Sequence, residues 1–150
     1  MIDSIVSSGT NYSLVWQPQA DGNWDVLTTA NWSNTLAAAL DKYADNDTVL
    51  FDDAGASSNA VNIATVVSPL AVTVNSSSNY SITGAGKISG STALVKDGSG
   101  TLTFGGTGND FSGGVVISNG TVAVSAVNVL PTSNVVTIGG SATLNLISAG

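Results

Sequence analysis

The chain has 150 residues, 43 % hydrophobic and only 9 % charged, a balance that points away from disorder and suits one domain around a single core. Cysteine, histidine, arginine and glutamate are all absent, which removes disulfides, thiolate and imidazole metal ligands, most general bases and the guanidinium forks that hold phosphates. The net charge of −7 sits in residues 1–53, where eight aspartates face Lys42 alone, while Lys87 and Lys96 balance Asp97 and Asp110 in the rest, so nucleic acid and anionic membranes are repelled by the first part and find no cationic stripe on the second.

The opening residues from Met1 carry neither a basic region nor an apolar run of signal-peptide length. No stretch approaches the ~20 apolar residues of a membrane span. The chain is therefore expected either to be used without such export or to be a piece of a longer secreted protein. Trp16, Trp24 and Trp32 then fall at intervals of eight, with Tyr12 ahead of them. In a stacked fold such residues plug the first rung, which otherwise exposes its core and its unpaired edge. The competing reading is a sugar-stacking platform of Trp faces; the cap is adopted because indole N–H groups also find partners at a half-wet end.

Across 34–44, Leu36, Leu40 and Tyr43 recur at i, i+4 and i+7 behind Ser33 or Asn34 as N-cap, and Ala37, Ala38 and Ala39 favour helix. This predicts the one short helix of the chain, about three turns long, lying over the aromatic cluster. Asp45-Asn46-Asp47-Thr48 predicts a turn and Val49-Leu50-Phe51 a strand, closed by Asp52 and Asp53. Asp45, Asp47, Asp52 and Asp53 offer the hard oxygens that Ca²⁺ takes. The spacing of a full calcium loop is missing, however, and aspartate is an ordinary turn former. They stand as calcium candidates, with no cofactor assigned.

From Ala60 onward short apolar-alternating runs follow one another between turns: Val61–Val67, Leu70–Val74 after Pro69, Tyr80–Thr83, Lys87–Ser89, Thr101–Phe104, Val115–Ser118, Thr121–Val124, Val135–Ile138 and Thr143–Ile147. Period-2 alternation between glycine, Asn, Asp and Ser clusters is the signal for half-buried strands. Ile117 to Ile138 is 21 residues, Leu102 to Val122 is 20 and Val122 to Leu144 is 22. A repeat near that length suits one coil of a β-helix, in which no coil buries its core alone. After the final coil no cap is evident, so that end is expected to meet another subunit or further sequence.

Gly105-Gly106-Thr107-Gly108-Asn109-Asp110 fits the first six positions of the calcium nonapeptide. Phe111 arrives one place early for that motif, and tandem copies are missing. Catalysis fares no better. Asp52 and Asp53 are adjacent, which in a strand sends them to opposite faces, whereas glycosidases need two carboxylates facing one groove. The serines have no histidine to activate them and no G-x-S-x-G elbow. The chain is read as no enzyme. Its Asn-x-Ser/Thr triplets, frequent by chance in such a composition, carry no reading.

Residues 93–125 hold a more specific order. Leu94, Lys96, Gly98, Gly100, Thr101, Leu102 and Phe104 are followed by Phe111, Gly113, Gly114, Ile117, Gly120, Thr121 and Val122. This resembles the autotransporter-associated β-strand repeat of bacterial surface proteins. Gly22-Asn23-Trp24, Asn31-Trp32-Ser33 and the strand ending Phe51-Asp52 resemble the opening that precedes such repeats. The resemblance implies a parallel β-solenoid and no reaction; in the family's loop the aromatic, here Phe111, tucks under the glycines.

The expected fold is all-β: a short right-handed parallel β-helix with a Trp-rich, acidic capping region at 1–59, including the short helix, and solenoid repeats at 60–150. An antiparallel β-sandwich is the alternative, because alternation alone does not separate the two. The expected function is structural, a non-enzymatic surface or assembly module that packs against other protein subunits, by self-association or by docking, without membrane insertion. Taken as complete, the chain reads as a virion decoration or fibre component. Taken as an excerpt, it reads as part of an adhesin-like autotransporter passenger at the cell surface. A carbohydrate-binding module working through Trp16, Trp24 and Trp32 is the third reading, with glycans as partners.

Overall fold

The computed structural model describes residues 11–106 and 108–146. The opening ten residues, Thr107 of the glycine loop and Ile147 at the expected end of the last strand lie outside them. In chain order the strands are β1 (Ser13–Trp16), β2 (Asn23–Trp24), β3 (Trp32–Asn34), β4 (Ala39–Asp41), β5 (Thr48–Phe51), β6 (Ala60–Ile63), β7 (Val66–Val67) and β8 (Ala71–Asn75). They continue with β9 (Tyr80–Thr83), β10 (Lys87–Ile88), β11 (Ala93–Asp97), β12 (Thr101–Phe104), β13 (Val115–Ile117), β14 (Thr121–Val124), β15 (Val136–Ile138) and β16 (Thr143–Leu146).

These strands wind into a β-solenoid of about four turns. One side is an eight-stranded sheet in the order β15-β13-β11-β8-β5-β1-β3-β4, and the facing side is a six-stranded sheet in the order β16-β14-β12-β9-β6-β2. A third, two-stranded side is made by β10 and β7. Pairing is parallel throughout the stack, and among the described residues only β1–β3 and β3–β4 are antiparallel. That pattern rules out the antiparallel sandwich. Leu102 lies beside Val122, Val122 beside Leu144 and Ile117 beside Ile138, which are the very pairs that the 20-, 22- and 21-residue spacings join. The repeat length is thus the length of one coil.

Alternation explains the core. In β12 and β11 the buried positions are Leu102 and Phe104, and Leu94 and Lys96, with the residues between them turned outward. Burying each such aliphatic or aromatic side chain contributes about 1.5–3 kcal/mol relative to leaving it exposed. The buried cluster extends from Leu14 to Val129. At the last rung the burial stops: Val135, Ile138 and Leu146 are 76 %, 48 % and 68 % exposed. Among the described residues no strand pairs with the outer edge of β15 or β16.

The helix expected at 34–44 is not there. β3 and β4 form a hairpin instead, with Leu36 and Leu40 exposed and only Tyr43 buried. Asn34 does cap, its side-chain oxygen accepting from the Leu36 and Ala37 amides. Ala38 then takes a φ of 51°, which breaks the helical run, and pairing of β3 with β1 decides against local propensity. The short helix of the chain is a 3-10 turn at Asp53–Ser58, with Asp52 at its N-cap.

Candidate functional site

The three tryptophans gather at the N-terminal end of the solenoid. Trp16 and Trp32 meet edge to face at 4.9 Å, Trp24 and Trp32 at 5.4 Å, and Trp24 and Tyr43 at 5.4 Å. Phe51 packs beside all three and carries the cluster on to Tyr80 in the next coil. Aromatic pairs in this geometry add about 0.5–1.5 kcal/mol each beyond the area they bury. Trp16, Trp24 and Trp32 are fully buried, and a sugar ring needs an open indole face to stack on. The Trp16 indole N–H donates to the Ser58 carbonyl at 2.9 Å, whereas the Trp24 indole N–H has no partner among the described residues.

The four candidate calcium aspartates are engaged by their own neighbourhood. Asp47, buried, accepts from the Tyr12 amide at 2.8 Å and the Ala44 amide at 2.9 Å; burial pushes its carboxyl above the ordinary value. Asp45 accepts from the Tyr43 hydroxyl at 3.0 Å and the Ser68 amide at 2.8 Å. Burial, reinforced by Asp45, pushes the Tyr43 phenol up. Asp52 accepts from the Ala54 amide. Asp53 accepts from the Ser76 hydroxyl and the Ser77 and Ser78 amides of the next coil, and the Ser76 bond leads in holding its carboxyl below the usual range. Each carboxylate thus tightens a turn or a coil corner. Among the described residues no group of three or more acidic side chains gathers in a way that could hold a metal ion.

The most densely determined part is the corner between β11 and β12. Lys96 points inward and is 1 % exposed. Its ammonium donates to the carbonyls of Asp97 at 2.6 Å and Gly98 at 2.8 Å, and reaches Asn119 of the next coil at 3.5 Å. A Cβ on Gly100 would stand 2.1 Å from the Ser78 carbonyl oxygen, and one on Gly120 would stand 2.7 Å from the Lys96 ammonium. The glycines therefore let successive corners lie directly on one another, and the lysine ties the carbonyls between them. Further round, Asn109 is buried, accepting from the Ile88 amide at 2.9 Å and donating to the Val129 carbonyl at 2.8 Å, so one side chain joins three coils. Phe111 packs beneath that loop, 6.4 Å from Phe104.

Lys96 was legible in part, because it shares the inward phase of Leu94. Asn109 carries no such signal in a loop of glycines. Thr92, also buried, donates to backbone carbonyls of Pro69 and Ser89, and nothing in its sequence neighbourhood marks it.

The two outer faces differ in chemistry. On the eight-stranded sheet, Val15, Leu50, Thr73, Val95, Val116 and Thr137 stand in one register row across six parallel strands. On the six-stranded sheet, Thr101, Thr121 and Thr143 form one row, and Ser81 and Thr103 lie in the next. The third side carries the Lys87–Asp110 ion pair at 2.7 Å.

Residues 94–124 match the family model described as passenger-associated-transport-repeat. The match spans β11 to β14, with the Lys96 corner and the Asn109 loop inside it. A stacked β-solenoid is the form such autotransporter passenger repeats take. Searches of curated proteins and of solved structures gave no match.

Proposed function

From the passenger-associated-transport-repeat at residues 94–124, we propose that this chain is a passenger-type β-solenoid segment of a bacterial surface protein. It works outside the cell as a non-catalytic spacer that presents its side faces to neighbours. The carrying observation is that the matched residues form two successive internal rungs, flanked by β8 and β15 in one sheet and by β9 and β16 in the other. The repeat is therefore part of a stack rather than an isolated strand motif.

Two further observations support the non-catalytic reading. Asp45, Asp47, Asp52 and Asp53 are each held by backbone amides or hydroxyls of their own turn or of a neighbouring segment, and the tryptophan faces are covered by other rings. No helix among the described residues is long and apolar enough to cross a membrane. The repeat favours the cell-surface reading over the virion decoration or fibre reading, which no feature of the fold supports.

The test is display. Placed between a secretion signal and a transporter barrel in a bacterial host, the chain is expected to reach the outside and to resist added protease as a folded stack. Retention inside the envelope as an unfolded, degraded species would contradict the reading.

A further inference from the structure

We propose that Asn119 is a self-modification site: its side chain closes on the Gly120 nitrogen to a succinimide, which water opens mainly to isoaspartate. Asn119 is the one asparagine of the chain that a glycine follows, and it is exposed at the corner between β13 and β14. The Gly120 N–H donates to the Asn119 side-chain oxygen at 2.8 Å. The side-chain carbon to be attacked is bonded to that oxygen, about 1.2 Å away. Nucleophile and electrophile are thus already neighbours, the condition under which an intramolecular step gains most. Among the described residues the Gly120 N–H bonds nothing else, so turning the nitrogen toward the carbon costs this one contact.

Lys96 directs the chemistry of this corner. Its ammonium lies 3.5 Å from the Asn119 main-chain carbonyl oxygen and would stand 2.7 Å from a Cβ on Gly120. A cation at that carbonyl stabilises the amide anion that forms when the Gly120 N–H loses its proton to hydroxide. The nitrogen then bonds to Asn119 Cγ and the Cγ–Nδ2 bond breaks. The amine takes a proton back from water and leaves as ammonia. Water next adds to one of the two ring carbonyls, and the ring C–N bond at that carbon breaks. Lys96 faces the former main-chain carbonyl, where an ammonium stabilises the developing oxyanion. Opening there leaves the chain running through Cγ and turns the former main-chain carbonyl into a carboxylate, which is the isoaspartyl product.

That product suits the fold. Lys96 is buried against carbonyls, and among the described residues no carboxylate pairs with it. The new carboxylate arises at the carbonyl its ammonium already faces, and a buried cation gains most from such a partner. The link also gains one main-chain carbon. Between the paired positions Lys96 and Ile117 and the paired positions Thr101 and Thr121 lie four residues in one coil but three in the next, so the longer link enters the shorter corner. In the corner beneath, the Gly98 N–H donates to the Asp97 side-chain oxygen at 2.8 Å in the same posture. A carboxylate there has no amine to release, and its charge repels the nucleophile. Asn109 is buried, with both ends of its amide bonded to other coils. This inference rests on the Lys96 corner and is independent of where the chain is displayed.

Ageing the purified chain in mildly alkaline buffer tests it, once folded and once unfolded in guanidinium chloride. Digestion with a protease that cuts before aspartate but not before isoaspartate, followed by mass spectrometry, then resolves the three forms at position 119. In the folded chain this position is expected to convert ahead of every other asparagine. Its isoaspartate-to-aspartate ratio is expected to exceed that of the unfolded chain at least about threefold. Lys96→Met is expected to bring the folded ratio down to the unfolded one. Circular dichroism checks that the variant is folded, and Lys96→Gln replaces it should it fail that check. An Asn119 that stays intact in the folded chain while it converts in the unfolded one overturns the proposal. So does a ratio that is the same in both, or one that Lys96→Met leaves unchanged.

Discussion

Lys96 donates to the carbonyl oxygen of Gly98 at 2.8 Å, so a cation inside the solenoid is held by the turn just ahead of it and not by a carboxylate. Burial draws its amine below the ordinary lysine value, and Asp97 pulls it partly back. Lys96→Met keeps the length of the side chain and removes its donors, leaving the Asp97 and Gly98 carbonyls unpaired. The variant is expected to lose about 2 kcal/mol. Urea denaturation followed by circular dichroism reads this directly, and no loss of stability would mean that water serves those carbonyls equally well.

Close approach, not backbone conformation, makes Gly100 indispensable. Its φ is outside the left-handed region, yet an added Cβ would lie 2.1 Å from Ser78 O and 2.7 Å from Ser78 C, both backbone atoms that cannot step aside. Gly100→Ala is expected to cost about 1–3 kcal/mol, as overpacking does. Gly140 in the last coil has nothing within 4 Å of the same position among the described residues, so Gly140→Ala is expected to stay within about 0.5 kcal/mol of the parent. Equal melting temperatures for the two variants would contradict the stacking of corners.

Trp16 and Trp24 are equally buried, but among the described residues only Trp16 finds a partner for its indole N–H, the Ser58 carbonyl. Each Trp→Phe change leaves a space of similar size. Trp16→Phe alone strands a carbonyl, and it is expected to be the more destabilising by about 1 kcal/mol. Denaturant midpoints of the two variants check the order, and Trp24→Phe being the weaker protein would reverse the account.

Asp53 ties its turn to the serines of the next coil, and its carboxyl is held below the ordinary 3.8 chiefly by the Ser76 hydroxyl. A carboxyl lowered in the folded state stabilises above its unfolded pKa, and that gain is lost as pH falls through the folded value. The melting-temperature gap between the parent and Asp53→Asn is therefore expected to be open at neutral pH and to close below the ordinary carboxylate range. A gap that widens on acidification would contradict the sign.

The coil length was legible because parallel stacking forces chemically similar residues into the same register. Leu102, Val122 and Leu144 had to match, since each forms the floor of the next. The all-β class and the inward phase of each strand followed from alternation for the same reason. The hairpin at β3 and β4 was not legible. Leu36, Leu40 and three alanines satisfy a helical pattern, and only the pairing of β3 with β1, two segments apart in the chain, overrules it. The aspartates were visible as a cluster, but the donors that occupy them lie as far off as Ser68 and Ser76. Spacing along the chain carries no record of such partners.

The central claim, a folded solenoid exposed outside the cell, is tested most directly by labelling intact cells of the source with an amine reagent that does not cross membranes. Lys42 is exposed and the Lys87 side chain is 35 % exposed, while Lys96 is 1 % exposed. The account predicts modification of Lys42 and Lys87 on intact cells, with Lys96 modified only after unfolding. Protection of Lys42 and Lys87 until the cells are broken would contradict it.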